Sequence, residues 1–361
     1  KLPKASNLFG CHQVNNYYKN KGVKPNIFSL KIVEPSLIEK HLKSLNKTKS
    51  TGLDGLPAKF LNDSAESINI QVTHLVNLSI KSCTVPTEMK NAKVIPLYKK
   101  ESKFDVSNYR PVSVLSALSK ILERVVYDQL EKYLTDNNLM YEFQSGFRSQ
   151  YSTDTCLIHL TDYVRNETSQ GNYTGMVLID LRKAFDTVNH EILCSKLKSI
   201  GLNKNSVEWF SSYLGNRQQL VECNGTKSEF ADITCGVPQG SILGPLLFSI
   251  YVNDMDSSIK CKLLLYADDS ALIVSHKDIT VIESQLSSDL ENLSNWLIDN
   301  KLSLHLGKTE SILFGSKRKL KKHSKLNIQC KGVKINSNSE VKYLGAFLDQ
   351  TLSSESMVRN I

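Results

Sequence analysis

Apolar residues recur at helical spacing over several stretches of the N-terminal half of the chain. Leu37, Ile38, Leu42 and Leu45 predict an amphipathic helix, and Ser36 and Glu39 are spaced as a capping box that would satisfy its first free N–H groups. Ile68, Val72, Leu75, Val76 and Ser79 predict a second helix, stopped before Pro86. The clearest face is Leu118, Ile121, Leu122, Val125, Val126, Leu130 and Tyr133, and a further helix is expected from about Thr153 to Glu167. Val94, Ile95 and Leu97 read as a strand, with Pro96 inside it pointing to a sheet edge.

The pattern changes near residue 173. Tyr173 to Asp180 is a short, mostly apolar strand, followed by expected helices over about 191–200 and 206–214. Gln219 to Cys223, then Asn224-Gly225, predicts a hairpin, because Asn-Gly tolerates the positive φ of a two-residue turn. Gly236 to Gly244 is a glycine- and proline-punctuated loop feeding a helix. Lys262 to Ser275 is apolar on both sides of Asp268-Asp269, which predicts a tight hairpin with carboxylates at its tip. A helix over about 281–299 and strands near 310–314 and 341–348 complete the run. Strands and helices alternating in this way suit an α+β sheet of the split βαβ type.

The length of 361 residues exceeds one ordinary core and suits two or three lobes. A composition of 40% hydrophobic and 22% charged residues excludes a disordered chain. The net charge of +9 is uneven: residues 1–60 hold eleven Lys against three acids, and Lys317 to Lys325 holds six basic residues and no acid. Such patches attract polyanions or merely solvate a surface, and charge alone leaves both open. The eight Cys form no C-x-x-C pair, which argues against zinc and for a reducing compartment. No signal peptide or bilayer-length apolar run is present, so no membrane partner is expected. A start at Lys1 and an end at Ile361 suggest a segment of a larger polyprotein.

Apolar strands that end in acids create a conflict, because carboxylates cannot be buried unpaired. One Asp-Asp at a turn is usually just a turn. A second strand, Met176 to Ile179, also ends in an acid, Asp180. Side by side, the two strands would gather Asp180, Asp268 and Asp269, and such hard oxygen ligands suit two Mg²⁺, with Mn²⁺ as a substitute.

These segments resemble known ones. Tyr266-Ala267-Asp268-Asp269 is similar to the Y-x-D-D box of reverse transcriptases, and Ile179 to Asp186 resembles their first palm motif. Gly236-Val237-Pro238-Gln239-Gly240-Ser241 resembles the motif that packs on the nascent base pair. Ser50 to Pro57, Asn108 to Ser113 and Gln144 to Arg148 resemble fingers motifs of non-LTR retrotransposons. Gly307 to Glu310 and Tyr343 to Gly345 resemble the later palm motif and the primer grip. The resemblance covers about residues 30–349, in the family's order, and points to a LINE-type element of the jockey or CR1 kind; residues 1–29 match nothing.

The resemblance implies a right-hand polymerase fold with fingers and palm, the thumb largely missing. It implies a basic N-terminal extension over 1–50, fingers over 51–170 and 191–235, palm over 171–190 and 236–348, and the start of a thumb over 349–361. Asp180, Asp268 and Asp269 would be the catalytic metal ligands, with the Leu181 carbonyl assisting. Lys99 (or its neighbour Lys100) and Arg110 would grip the triphosphate, Gln239 and Gly240 would contact the nucleotide, and Phe185 would exclude a 2′ hydroxyl. Lys308 would be a general acid. Tyr343, Leu344 and Gly345 would form the primer grip. Asp186 is expected to cap the following helix, and His190 to be local structure. The implied partners are an RNA template, a DNA primer or target, deoxynucleoside triphosphates and an endonuclease domain in the same polyprotein. Nucleus and cytoplasm are the implied locations. The basic Lys43, Lys47 and Lys49 are expected to reach template phosphates. An RNA-binding maturase and a genomic relic are the competing readings, and the three retained aspartates weigh against loss of chemistry.

Overall fold

The computed structural model describes residues 17–18, 27–99 and 102–353. The chain forms two compact units. One takes the described residues up to Met140 together with Phe185–Tyr251, and the other takes Tyr141–Ala184 and the described residues from Val252 onward. These boundaries, at 140, 184 and 251, differ from those expected at 170, 190 and 235.

In the first unit, helices Pro35–Lys43, Ala58–Asp63 and Ala65–Ser82 precede the strands Ala92–Tyr98 and Tyr109–Val114. The helix expected with Ser36 at its N-cap starts two residues earlier, with Pro35 in its first turn and Glu34 at the N-cap position, and no side chain caps it. The expected capping box therefore does not form; proline at this position has no N–H to satisfy. The strand Ala92–Tyr98 pairs antiparallel with Tyr109–Val114 along its length and parallel with Arg217–Cys223 only as far as Val94. Pro96 thus lies where one side of the strand is free, within a strand that is central at its start. The Asn224-Gly225 hairpin forms as expected, with Cys223 opposite Thr226 and both turn residues at positive φ.

Helix Ala117–Asp136 is capped by Ser116 and buries Ile121, Leu122, Val125, Val126 and Leu130. Helix Leu243–Tyr251 packs against it and against helix His190–Ser199, which draws residues 243–251 into this unit.

The second unit is built on a five-stranded sheet ordered Asn336–Asn338, Glu310–Phe314, Tyr173–Ile179, Asp269–His276, Lys262–Tyr266. Tyr173–Ile179 is the middle strand and buries nearly every residue, with helices Thr153–Ser169 and Ile279–Asp299 packed on it. Helix Thr153–Ser169 packs on this strand and on Lys262–Tyr266, burying Cys156, Leu160 and Val164, so residues 141–169 belong with this sheet. The strand expected near 341–348 is a hairpin, Glu340–Tyr343 with Ala346–Asp349, and Leu344-Gly345 make its turn at positive φ. Among the described residues seven cysteines are free, and no helix is long and apolar enough to cross a membrane.

Candidate active site

In the second unit, Ile179 pairs with Ser270, and Tyr266 pairs with Asp269 across the Ala267-Asp268 turn. Strand order and register therefore bring Asp180, at the end of the middle strand, beside Asp268 and Asp269. The Asp269 carboxyl is pushed up to about 6, first by partial burial and then by the charges of Asp268 and Asp180. Among the described residues, no three His, Cys, Asp or Glu side chains converge into a ready-made metal-ligand set. The three carboxylates still fit a divalent cation by chemistry: they are hard oxygen donors, and the charges of Asp268 and Asp180 add to that of Asp269. Lys308 is exposed near this end of the sheet, its N–H donating to the His305 carbonyl.

Two segments brace these acids. The Asp180 carbonyl accepts from His305 N at 2.8 Å, and Arg182 N donates to Ser303 O at 2.9 Å. Leu181 faces Leu304 in this bridge, whose hydrogen bonds are made by the flanking peptides and not by the Leu181 peptide. On the other side, Leu265 N donates to Phe143 O and Ser145 N to Leu265 O, so residues 143–145 extend the sheet beside the hairpin. Gln144 Oε1 accepts from Gly146 N at 2.9 Å and, more weakly, from Ala267 N at 3.4 Å. A Cβ at Gly146 would lie 2.2 Å from Ala267 N, so only glycine allows this approach to the turn. The segment read as a fingers motif is thus the backing of the acid hairpin.

Tyr343 is buried, with its hydroxyl 3.8 Å from Cys156 Sγ. Of the other two residues of the expected primer grip, Leu344 is half-buried against the core and Gly345 is exposed.

In the first unit, the 236–244 loop is held from three directions. Gly236 N donates to Val188 O at 2.7 Å, Val237 N to Phe185 O at 2.8 Å, and Gln239 Nε2 to Asp186 Oδ1 at 2.8 Å. His190 Nε2 lies 2.8 Å from Gly236 O, so it holds this loop from 46 positions away and is not merely local structure. Asp186 does not cap the next helix: Asn189 does, accepting from Ile192 N at 3.0 Å, because it stands directly before the first helical residue. From the second direction, Ser113 N donates to Gln239 O at 2.7 Å, and a Cβ at Gly240, where φ is +125°, would lie 2.4 Å from Ser113 O. The Asn108–Ser113 and Gly236–Ser241 motifs are therefore in direct contact. From the third, buried Glu123 accepts from Ile242 N at 2.6 Å and from Leu243 N at 3.3 Å, at the start of helix Leu243–Tyr251. Burial pushes the Glu123 carboxyl up, opposed by the charge of the fully buried Arg217 and by these two N–H groups.

Phe185 is half-buried and stacks on Phe248, with centroids 4.6 Å apart. Lys99 and Arg110 are both exposed. Leu97 pairs with Arg110 and Lys99 N donates to Asn108 O, so both basic residues project from the same face of the hairpin. Lys100 lies outside the described residues. Lys43 and Lys47 are taken by acids of the chain itself: Lys43 pairs with Glu39 and Glu66 at 2.7 Å each, and Lys47 with Asp63 at 2.6 Å. Acids on the same helix (Glu39) and on neighbouring helices (Asp63, Glu66) thus already engage two of the lysines expected to reach template phosphates. Sequence reasoning missed Glu123 as a loop anchor. Its signal was an acid set between Leu122 and Val126, on the helix's apolar face.

Residues 98–348 match the family model described as reverse transcriptase (RNA-dependent DNA polymerase). The chain is 30% identical over 335 residues to the probable RNA-directed DNA polymerase from transposon BS of Drosophila melanogaster, covering 90% of this chain and 36% of that protein. It is 27% identical to the RNA-directed DNA polymerase from mobile element jockey of Drosophila funebris, covering 88% of this chain and 35% of the relative. It is 28% identical to the jockey polymerase of Drosophila melanogaster, covering 97% and 38%. The chain thus spans little more than a third of the length of these relatives.

Proposed function

Since the chain belongs to the reverse transcriptase family, in its non-LTR retrotransposon branch, we propose that it adds deoxynucleotides to a DNA 3′ hydroxyl on an RNA template by two-metal-ion phosphoryl transfer. The observation that supports this most is the placing of Asp180, Asp268 and Asp269 at adjacent strand ends, where burial and then the charges of the other two raise the proton affinity of Asp269. Asp180 and Asp268 would hold both Mg²⁺ ions (or Mn²⁺ in their place), with Asp269 less directly involved and the Leu181 carbonyl on the nucleotide side. Such ions, when bound, activate the primer hydroxyl and neutralise charge on the triphosphate and the departing pyrophosphate.

The chain's own residues supply the rest. On this reading the second unit is palm and most of the first is fingers. Lys99 and Arg110 grip the triphosphate, with a guanidinium fork suited to its oxygens. Gln239 and Gly240 support the incoming nucleotide, the Phe185 ring blocks a ribose 2′ hydroxyl, and Lys308 protonates the leaving pyrophosphate. The Leu344-Gly345 turn touches the primer. Because the relatives are much longer, an endonuclease in the same polypeptide, a chromosomal DNA target and work in nucleus and cytoplasm belong to the same proposal.

RNA-templated primer extension with Mg²⁺ and deoxynucleotides, comparing the protein with its Asp268→Asn variant, tests the reading. The variant should lose about 10³ in rate, or about 4 kcal/mol of transition-state stabilisation, while RNA binding persists. Equal extension by both proteins refutes it.

A further inference from the structure

The basic residues of the N-terminal region sort into two groups. Lys43 and Lys47 are neutralised by acids within 3 Å. Lys49 is exposed and, among the described residues, makes no ion pair. It lines a cleft of about 270 Å³ in the first unit, together with His41, Lys120 and Arg124, over a floor that includes Ile121 and Ile242. Lys120, Ile121 and Arg124 face the cleft because they sit at i, i+1 and i+4 of helix Ala117–Asp136, with Ala117 one turn earlier on the same side. Segments separated by some seventy residues therefore bring cations to one concavity, which the charge count along the sequence does not show.

The nearby acids leave this charge largely uncompensated. Asp128 lies 3.3 Å from His41 Nε2 and 3.8 Å from Arg124 Nη1, and so serves those two. Glu123 is turned to the N–H groups of Ile242 and Leu243. Lys120 is partly buried and, among the described residues, forms no ion pair. Burial lowers the proton affinity of its ammonium group, Glu123 opposes that, and Lys49 lowers it further. A cation held in this setting gains from an anion placed in the cleft.

We propose that this cleft is a second phosphate site, distinct from the residues assigned to the incoming nucleotide, and that it holds a phosphodiester of a bound polynucleotide. Its size supports that choice: whole small-molecule ligands take clefts of roughly 300–1,000 Å³, and this one suits a phosphate with part of its sugars. Charge-assisted bonds from ammonium and guanidinium groups to phosphate oxygens are the strong kind. The cleft itself is independent of the polymerase reading; naming a polynucleotide as the source of the phosphate rests on that reading.

The test is equilibrium binding of a labelled single-stranded RNA, and of DNA of the same sequence, from low to high salt. The Lys49→Gln/Lys120→Gln variant should bind about tenfold more weakly at low salt. Its log–log salt slope should be shallower by about 0.7 for each phosphate no longer held. Lys49→Gln alone, at an exposed position that leaves the fold intact, should move the slope in the same direction. Lys132→Gln, a control at an exposed lysine paired with Asp136, should not move it. A loss for both polymers supports a site for either strand, and a loss for RNA alone supports a site for RNA. Slopes identical to the unmodified protein, in both the single and the double variant, overturn the site. Thermal protection by inorganic phosphate that the double variant loses, with polynucleotide slopes unchanged, overturns the polynucleotide and leaves a free anion as the ligand. None of these readouts requires extension activity, so failure of the polymerase reading and failure of the cleft are separable.

Discussion

The acid hairpin of the second unit and the 236–244 loop of the first solve opposite problems. Around the loop, polar groups are matched from within: Gln239 to Asp186, Gly236 to Val188, and the peptides at 242 and 243 to Glu123. At the hairpin the backbone is equally well braced, by residues 303–305 and 143–146, but the side chains are not matched. Three carboxylates stand at adjacent strand ends, and burial together with the charges of Asp268 and Asp180 raises the proton affinity of Asp269. One region is complete as folded, and the other would be completed by the cations proposed for it. Substitutions should therefore act in opposite senses on the two: losses of stability at the loop, losses of chemistry with a gain in stability at the hairpin.

The strongest test of that contrast is Asp180→Asn. It should lower primer extension by about 10³ and leave denaturant unfolding unchanged or slightly more stable, because removing its charge relieves Asp269. A large loss of stability would break the contrast. Glu123→Ala should do the reverse. It strands two helix N-terminal N–H groups and the buried Arg217, and should cost about 3 kcal/mol in urea unfolding. Glu123→Gln, which keeps an acceptor for these N–H groups, should recover part of this.

Phe185→Val sharpens the comparison from the loop side. The ring is half-buried on Phe248, so its loss should be tolerated, and relative efficiency with ribonucleotides should rise about tenfold, or about 1.4 kcal/mol. An unchanged ratio in an active variant would make the ring a packing residue only.

The smallest effect is expected at Asp269. Its folded proton affinity lies above the ordinary carboxylate value, so its ionisation opposes folding as pH rises from about 4 through about 6. Asp269→Asn should therefore raise the metal-free melting midpoint at pH 7, by about 2 °C given the group's solvent exposure, and leave it unchanged near pH 4. A midpoint lowered at pH 7 would remove the repulsion from the account.

Much of this was legible in the chain because period and punctuation coincide. The Asn224-Gly225 turn, the acid-tipped hairpin and the helix over 117–136 each carry a local rule that tertiary packing does not override. What was hidden depended on contacts distant in sequence. Ser36 and Glu39 had capping spacing, yet Pro35 took the first turn. Asp186 looked like a cap until Gln239, 53 positions on, claimed it. Residues 141–169 gave no sign that they belong to the acid-bearing sheet, because that membership is decided by Leu265 bonding to Phe143 and Ser145. Lys43 and Lys47 read as free charge because Glu66 and Asp63 lie on other helices.

The order of the middle strand also bears on how the protein comes to be made. Tyr173–Ile179 must wait for Asp269–His276 on one side and Glu310–Phe314 on the other, so its pairing spans about a hundred residues. Loop closure of that length is slow compared with local helix formation. During synthesis, the first unit's last segment, ending at Tyr251, emerges before either partner strand does. The apolar strand that carries Asp180 must therefore be kept from aggregation while the loop-bearing unit is already able to form.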